Sequence, residues 1–302
     1  MAYLSQALDL TFTSAHKSLK CATLLKLTVT HISKAMSEAF SEAITKERFG
    51  GLERLYGKPQ LQFLQQAHVC VVGIGGVGSW VAEALARSGI GNLTIIDLDD
   101  VCVTNINRQI HALDNTVGHS KVLAMAERIR LINPDCQVNA VQDFVIPTNV
   151  VEHMQESFDY VVDATDSIKA KAAMIAHCKR NKIPVITIGG AGGQTDPTQI
   201  TVGDLAKTIQ DPLAAKLRNY LRRFYHFSTN PKRRFGIECV YSTEQLRYPQ
   251  EDGSVCHTKN LSKGSVKLDC NSGFGASVTV TATFGFVAAS RVINKMLKKA
   301  EL

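Results

Sequence analysis

The residues whose chemistry stands out first are the glycines of Gly73-Ile74-Gly75-Gly76-Val77-Gly78, set between a short apolar run and an amphipathic stretch. Between a strand and a helix, such glycines let the chain turn tightly and bring phosphate oxygens close to backbone N–H groups at the positive end of the helix. Asp97 ends the next apolar run, where a carboxylate is placed to bond ribose hydroxyls. These two features are shared by NAD, FAD and ATP binders. They leave the nucleotide open.

The polar run from Asp97 to Gln109 narrows the choice. It carries Asp99, Asn105 and Arg108 where a dehydrogenase resumes plain helix, and Lys121 follows at the start of the next helical stretch. Asp163 and Asp166 close a further apolar run, on the same expected edge of a sheet. Arg108 and Lys121 can neutralise a triphosphate, and Asp166 can hold Mg²⁺ among phosphate oxygens. Each alone is as well explained as a surface charge or a helix cap; together at one edge they are not. The nucleotide-binding set read in this way is Gly73, Gly75, Gly76, Gly78, Asp97, Asp99, Asn105, Arg108, Gln109, Lys121 and Asp163, with ATP as ligand.

A second cluster lies between Pro212 and Ile237, which holds no acidic residue. Arg218, Arg222, Arg223, Lys232, Arg233 and Arg234 are interleaved there with Tyr220, Phe224, Tyr225 and Phe227. Cations for phosphates beside aromatics for unstacked bases is a common way to hold single-stranded RNA.

These residues need elements to position them. The run 68–73 reads as a buried parallel strand, the stretch from Gly78 to Ser88 as a helix, and Leu93 to Asp97 as the next strand. Ser120 to Ile132 has helical spacing and stops before Pro134. Residues 138–141, 160–163 and 185–188 read as three more strands. Alternating strands and helices predict an α/β, Rossmann-like, doubly wound sheet, mainly parallel and covered by helices on both faces. Beyond the glycine-rich loop 189–193 we expect a helix over 205–224, a loop-rich stretch over 225–270 and a last helix over about 275–299. This divides the chain into an N-terminal extension (1–35), a nucleotide-binding core (36–195) and a C-terminal region (196–302) that carries the basic cluster.

Composition agrees with a globular protein of 302 residues, 45% hydrophobic, with a formal net charge of +7 that suits an anionic partner. Eight scattered cysteines, with no Cys-x-x-Cys pair, point to a reducing cytoplasm and to no structural zinc. The apolar stretch 271–290 is expected as a buried core helix and not a membrane span.

The glycine motif, Asp97, Asn105-x-x-Arg108-Gln109, Lys121 and Asp163-x-x-Asp166 together resemble the ubiquitin-activating superfamily, which includes the ThiF and MoeB adenylyltransferases. The resemblance implies ribose binding by Asp97, phosphate contacts by Asn105, Arg108 and Lys121, and Mg²⁺ at Asp166. It also implies a homodimer in which an N-terminal arginine, Arg48 or Arg54, crosses to the partner's site. The blocks 48–51, 99–105, 107–113, 208–216 and 269–276 look like a bacterial branch, the tRNA threonylcarbamoyladenosine dehydratases (the CsdL type). That branch implies a tRNA substrate whose threonylcarbamoyl carboxylate is adenylylated and then closes into a ring. It also implies that 196–302 is the region for substrate (tRNA) binding and dimerisation. It is also associated with a cysteine desulfurase system, CsdA and CsdE, and Cys270 is the candidate if a thiol takes part. The rival within the superfamily is adenylylation of a ubiquitin-like carrier's C-terminus.

Overall fold

The computed structural model describes residues 47–155, 157–250, 252–257 and 274–300. The chain separates into two compact units, Met1–Gly57 and Lys58–Leu302. Of the first, a single helix is described, α1 (47–56), on which Arg48 and Arg54 are both exposed.

The second unit is built on a seven-stranded sheet ordered β3-β2-β1-β4-β5-β7-β6. Its strands are β1 (His68–Val72), β2 (Asn92–Ile96), β3 (Gln137–Val141), β4 (Tyr160–Asp163), β5 (Val185–Ile188), β6 (Ile200–Asp204) and β7 (Glu238–Ser242). All neighbours pair in parallel except the edge strand β6, which runs antiparallel to β7. The mainly parallel α/β fold is as expected. Strands β1, β4 and β5 are short apolar runs because both faces are covered; β4 and β5 are buried throughout. At the edge, Gln137-Val138-Asn139-Ala140-Val141 alternates and stays half-exposed.

Helices α2 (Lys58–Gln66), α3 (Gly78–Arg87), α4 (Lys121–Ile132), α5 (Val150–His153), α6 (Ile168–Arg180), α7 (Pro212–Tyr225) and α8 (Val278–Ala300) complete the unit. Helix α7 begins later than the helical pattern suggests. Asp211 caps it, accepting from Ala214 N at 2.9 Å, and Pro212 takes the first helical position. Residues 205–207 form only one 3₁₀ turn. The stretch expected to be loop-rich contains β7, a strand of the central sheet.

Helix α8 lies close on α3, where a Cβ at Gly285 would come within 2.7 Å of Trp80 Cβ and 2.9 Å of Val77 O. Phe284, Ala288, Val292 and Met296 form its buried stripe. No helix among the described residues is long and apolar enough to cross a membrane.

The strand order reverses between β1 and β4, and ligands of doubly wound sheets lie outside the carboxyl ends of the strands at such a point. Gly73, Asp97, Ala164 and Gly189 all leave strands at this edge.

Candidate active site

A cavity of about 820 Å³ opens at that edge. From the predicted set it is lined by Gly73, Gly75, Gly76, Asp97, Asp99, Arg108, Gln109, Lys121 and Asp166.

The glycines differ in what they do. Gly73 has φ +87°, and a Cβ there would sit 2.9 Å from the Ala164 carbonyl. Gly78 does not face the cavity: its Cβ would fall 1.8 Å from Gly73 O, so it closes the turn. Gly75 is the informative one. A Cβ added there meets nothing within 4 Å, so internal packing does not demand glycine, and the bare backbone leaves the cavity open at this point.

Asp97 is nearly buried and holds the glycine loop, accepting from Ile74 N at 2.6 Å and from Asp99 N at 2.9 Å. Burial raises its pKa, with nearby Lys121 pulling the other way. Lys121, at the first turn of α4, pairs with Asp99 at 2.7 Å. Arg108 donates through Nη1 to Thr104 O at 2.7 Å and to Asn107 Oδ1 at 2.9 Å, and its stem crosses Gly76.

Asn105 is buried away from the cavity wall. Its side chain accepts from Cys102 N at 3.1 Å, and its carbonyl accepts from Arg108 N and Gln109 N. It shapes the turn that presents Arg108. The buried Gln109 Oε1 and both ring nitrogens of His111 have no hydrogen-bond partner among the described residues. Burial, with Lys121 and Arg128 nearby, lowers the His111 pKa to about 4 and keeps the ring neutral.

Asp163 is placed differently from the expectation. It is fully buried, with Oδ1 accepting from Thr165 N and Oγ1 and Oδ2 accepting from Lys171 Nζ at 3.1 Å and Thr187 Oγ1 at 2.6 Å. Its two oxygens are committed inside the protein, and it does not line the cavity. Asp166 instead is exposed at the cavity and bonds to no other described residue. Among the described residues no three His, Cys, Asp or Glu side chains gather to hold a metal. A cation here would therefore take Asp166 plus phosphate oxygens and water, which suits Mg²⁺.

Two parts of the wall were not read from sequence. Phe144, Val145 and Ile146 line the cavity from a strap that Asp143 anchors through His153 Nε2 at 2.8 Å. Gly189–Gly192, Leu246 and Phe274–Ala276 line the other end, with Gly193 N donating to Gly275 O at 2.8 Å.

The basic cluster divides. Arg218 points inward, its guanidinium donating to Thr208 Oγ1 and to Leu205 O, and burial lowers its pKa. It is a structural pin and not a free phosphate ligand. Arg222 lies over Phe235 at 5.5 Å and donates to Ser228 O. Arg223 is exposed over the exposed Phe224, 5.0 Å from its centroid, and Lys232, Arg233 and Arg234 are exposed. Asp204 accepts from Phe235 N at 2.9 Å and Gly236 N at 2.7 Å, and Lys179 donates to Phe235 O at 2.6 Å. The end of the basic loop is thus fixed. Tyr220, Tyr225 and Phe227 pack against the core, leaving Phe224 as the exposed ring.

Cys270 lies outside the described residues. Cys239 is buried, and burial pushes its thiol well up, which removes it as a nucleophile.

A glycine loop, the Asp97 carboxylate that holds it and two cations at the switch point of a mostly parallel sheet mark the Rossmann-like class. The chain belongs to the ThiF family, whose model matches residues 51–302. It is 60% identical over 265 residues to the tRNA threonylcarbamoyladenosine dehydratase of Escherichia coli (strain K12), covering 88% of this chain and 98% of that protein. The Bacillus subtilis (strain 168) protein of the same name is 36% identical over 256 residues, covering 84% of this chain and 96% of that protein. The crystal structure of E. coli TcdA in complex with ATP matches with a TM-score of 0.76 at 57% identity, over 85% of this chain and 96% of that one.

Proposed function

We propose that this chain is an ATP-dependent tRNA threonylcarbamoyladenosine dehydratase. The observation that carries the reading is near-full-length identity of 60% to a protein of that name, joined to a cavity whose glycine loop, cations and unpartnered Asp166 suit a nucleoside triphosphate.

A carboxylate is a poor electrophile at neutral pH, and its acyl-adenylate carries a good leaving group. The threonyl carboxylate attacks the α-phosphorus and pyrophosphate departs. A nitrogen of the same side chain then displaces AMP and closes the ring, for a net loss of one water. Ring closure is intramolecular, so positioning supplies much of its rate. Asp97 orients the ribose, the Gly73–Gly76 turn admits the phosphates, and Arg108 and Lys121 stabilise charge that develops on them. Mg²⁺, held by Asp166, neutralises phosphate charge when bound.

We take 36–195 as the adenylylation core and 196–302 as the region that adds tRNA binding. The exposed cations Arg223, Lys232, Arg233 and Arg234, with Phe224, form the tRNA face. Converting Lys232, Arg233 and Arg234 to glutamate is expected to weaken tRNA binding about 10-fold or more and to flatten its salt dependence, with ATP affinity unchanged. Titrations across salt concentration check this; an unchanged slope would remove the loop from the face. A homodimer in which Arg48 or Arg54 reaches the partner's phosphates, association with CsdA and CsdE, and a cytoplasmic setting complete the proposal.

The direct test is mass analysis of nucleosides from modified tRNA incubated with the protein, ATP and Mg²⁺. The modified adenosine becomes lighter by one water. An unchanged nucleoside, with adenylylation of a ubiquitin-like carrier's C-terminus instead, would favour the other branch of the family.

A further inference from the structure

Lys171 has no exposed surface and takes no part in the site described above. It lies in the first turns of α6, and its ammonium is enclosed by acceptors. Nζ is 3.1 Å from Asp163 Oδ2, 3.3 Å from Asp163 O, 3.2 Å from Thr187 Oγ1 and 2.8 Å from Ile188 O. Thr187 Oγ1 in turn donates to Asp163 Oδ2 at 2.6 Å. One cation therefore grips the carboxyl ends of two neighbouring strands, β4 and β5.

Both strand ends lead directly into the cavity wall. Residues 164–167, with Asp166, leave β4, and Gly189–Gly192 leave β5. A second carboxylate adjoins the network. Asp211 accepts from Gly190 N at 3.0 Å, and a Cβ at Gly189 would fall 1.8 Å from its Oδ2. Burial raises the Asp211 pKa, and Lys171 partly offsets that.

Stability alone does not call for this arrangement. Taking an ion pair out of water costs several kcal/mol per ion, and a well-packed uncharged replacement is often neutral or stabilising. What the pair supplies and a neutral replacement does not is a short, multiply bonded connection between two loops that line the same cavity. A displacement of 1 Å at such a place can cost about 10²-fold in rate.

We infer that Lys171 is a positioning residue: it sets the spacing between the Asp166 loop and the Gly189–Gly192 loop, two walls of the one cavity. The inference rests on the adenylylation reading and names a residue that acts without touching substrate.

The test is the double variant Asp163→Asn/Lys171→Met, which removes both charges while the asparagine carbonyl still accepts from Thr165. Melting temperature, ATP affinity without metal, the gain in affinity that Mg²⁺ adds, and kcat for pyrophosphate release on modified tRNA are measured beside the unchanged protein. The variant is expected to melt cooperatively and to bind metal-free ATP within about 3-fold of the unchanged protein, because Asp97 and the glycine loop are untouched. Its Mg²⁺ gain and its kcat are expected to fall at least about 10-fold, with KM for ATP moving little. An unaltered kcat and Mg²⁺ gain would overturn the inference. So would loss of metal-free ATP binding in the same proportion, because the effect would then not be confined to the two loops. If the unchanged protein itself binds no ATP, the adenylylation reading fails, and this inference with it.

Discussion

Asp166→Ala is expected to abolish Mg²⁺-dependent pyrophosphate release, lowering kcat by about 10³-fold or more, while the fold remains intact. Asp166 is exposed, lines the cavity and bonds to no other described residue, so its removal breaks nothing internal. A surface change of that kind shifts stability by no more than about 0.5 kcal/mol. Asp163, three residues earlier, is the contrasting case. Its carboxylate supports Thr165, Thr187 and the buried Lys171, so Asp163→Ala is a folding variant and not a probe of chemistry. Thermal melts beside pyrophosphate assays separate the two. An Asp166→Ala protein that keeps normal turnover would remove Asp166 from the reaction.

Arg108→Ala is expected to lower kcat/KM for ATP by about 10²- to 10³-fold, the usual loss when one preorganised donor to a developing charge is removed. The Arg108 backbone stays in place. Its carbonyl accepts from Trp80 Nε1 at 2.9 Å, and its N–H donates to Asn105 O at 3.0 Å, both independent of the side chain. Arg108→Lys should not recover the rate: one nitrogen, Nη1, is held by Thr104 O and Asn107 Oδ1, and an ammonium so held has no second nitrogen to offer a phosphate as a guanidinium does. Steady-state kinetics on both variants check this; recovery by lysine would mean that charge alone suffices.

The first four βα units were readable because their signals are local. The strands 68–72, 160–163 and 185–188 are continuous apolar runs, and the glycine turn and Ser120–Ile132 carry their own start and stop residues. Strands β6 and β7 were not. Ile200–Asp204 contains a glycine, Glu238–Ser242 lies between polar loops, and they become strands by pairing with each other and with β5. Such partners are decided by tertiary contact and leave little local trace.

The same distinction runs through the site. Spacing placed Asp163 and Asp166 at one edge, but not which of the two faces inward; that depends on Lys171, which lies on the buried side of α6 while Lys169, two residues earlier, is exposed. Lys171 sits among Ala170, Ala172 and Ala173, and a charge inside such a small apolar run is the signal that could have found it. Arg218 is a similar case. It follows the buried Ala214 by one helical turn, so it lies on the inner face of α7, whereas Arg223 does not. The cavity strap 143–146 carries no chemical motif, the block 269–276 marks a resemblance without saying what it faces, and only the folded chain brings the strap and Phe274–Ala276 to the cavity.

The central claim is tested most directly by pyrophosphate release from ATP and Mg²⁺ with two matched tRNA preparations, one bearing threonylcarbamoyladenosine and one lacking it. Release with the modified tRNA alone, in proportion to the modified nucleoside present, is the predicted result. Equal release with both preparations, or with neither, would contradict it.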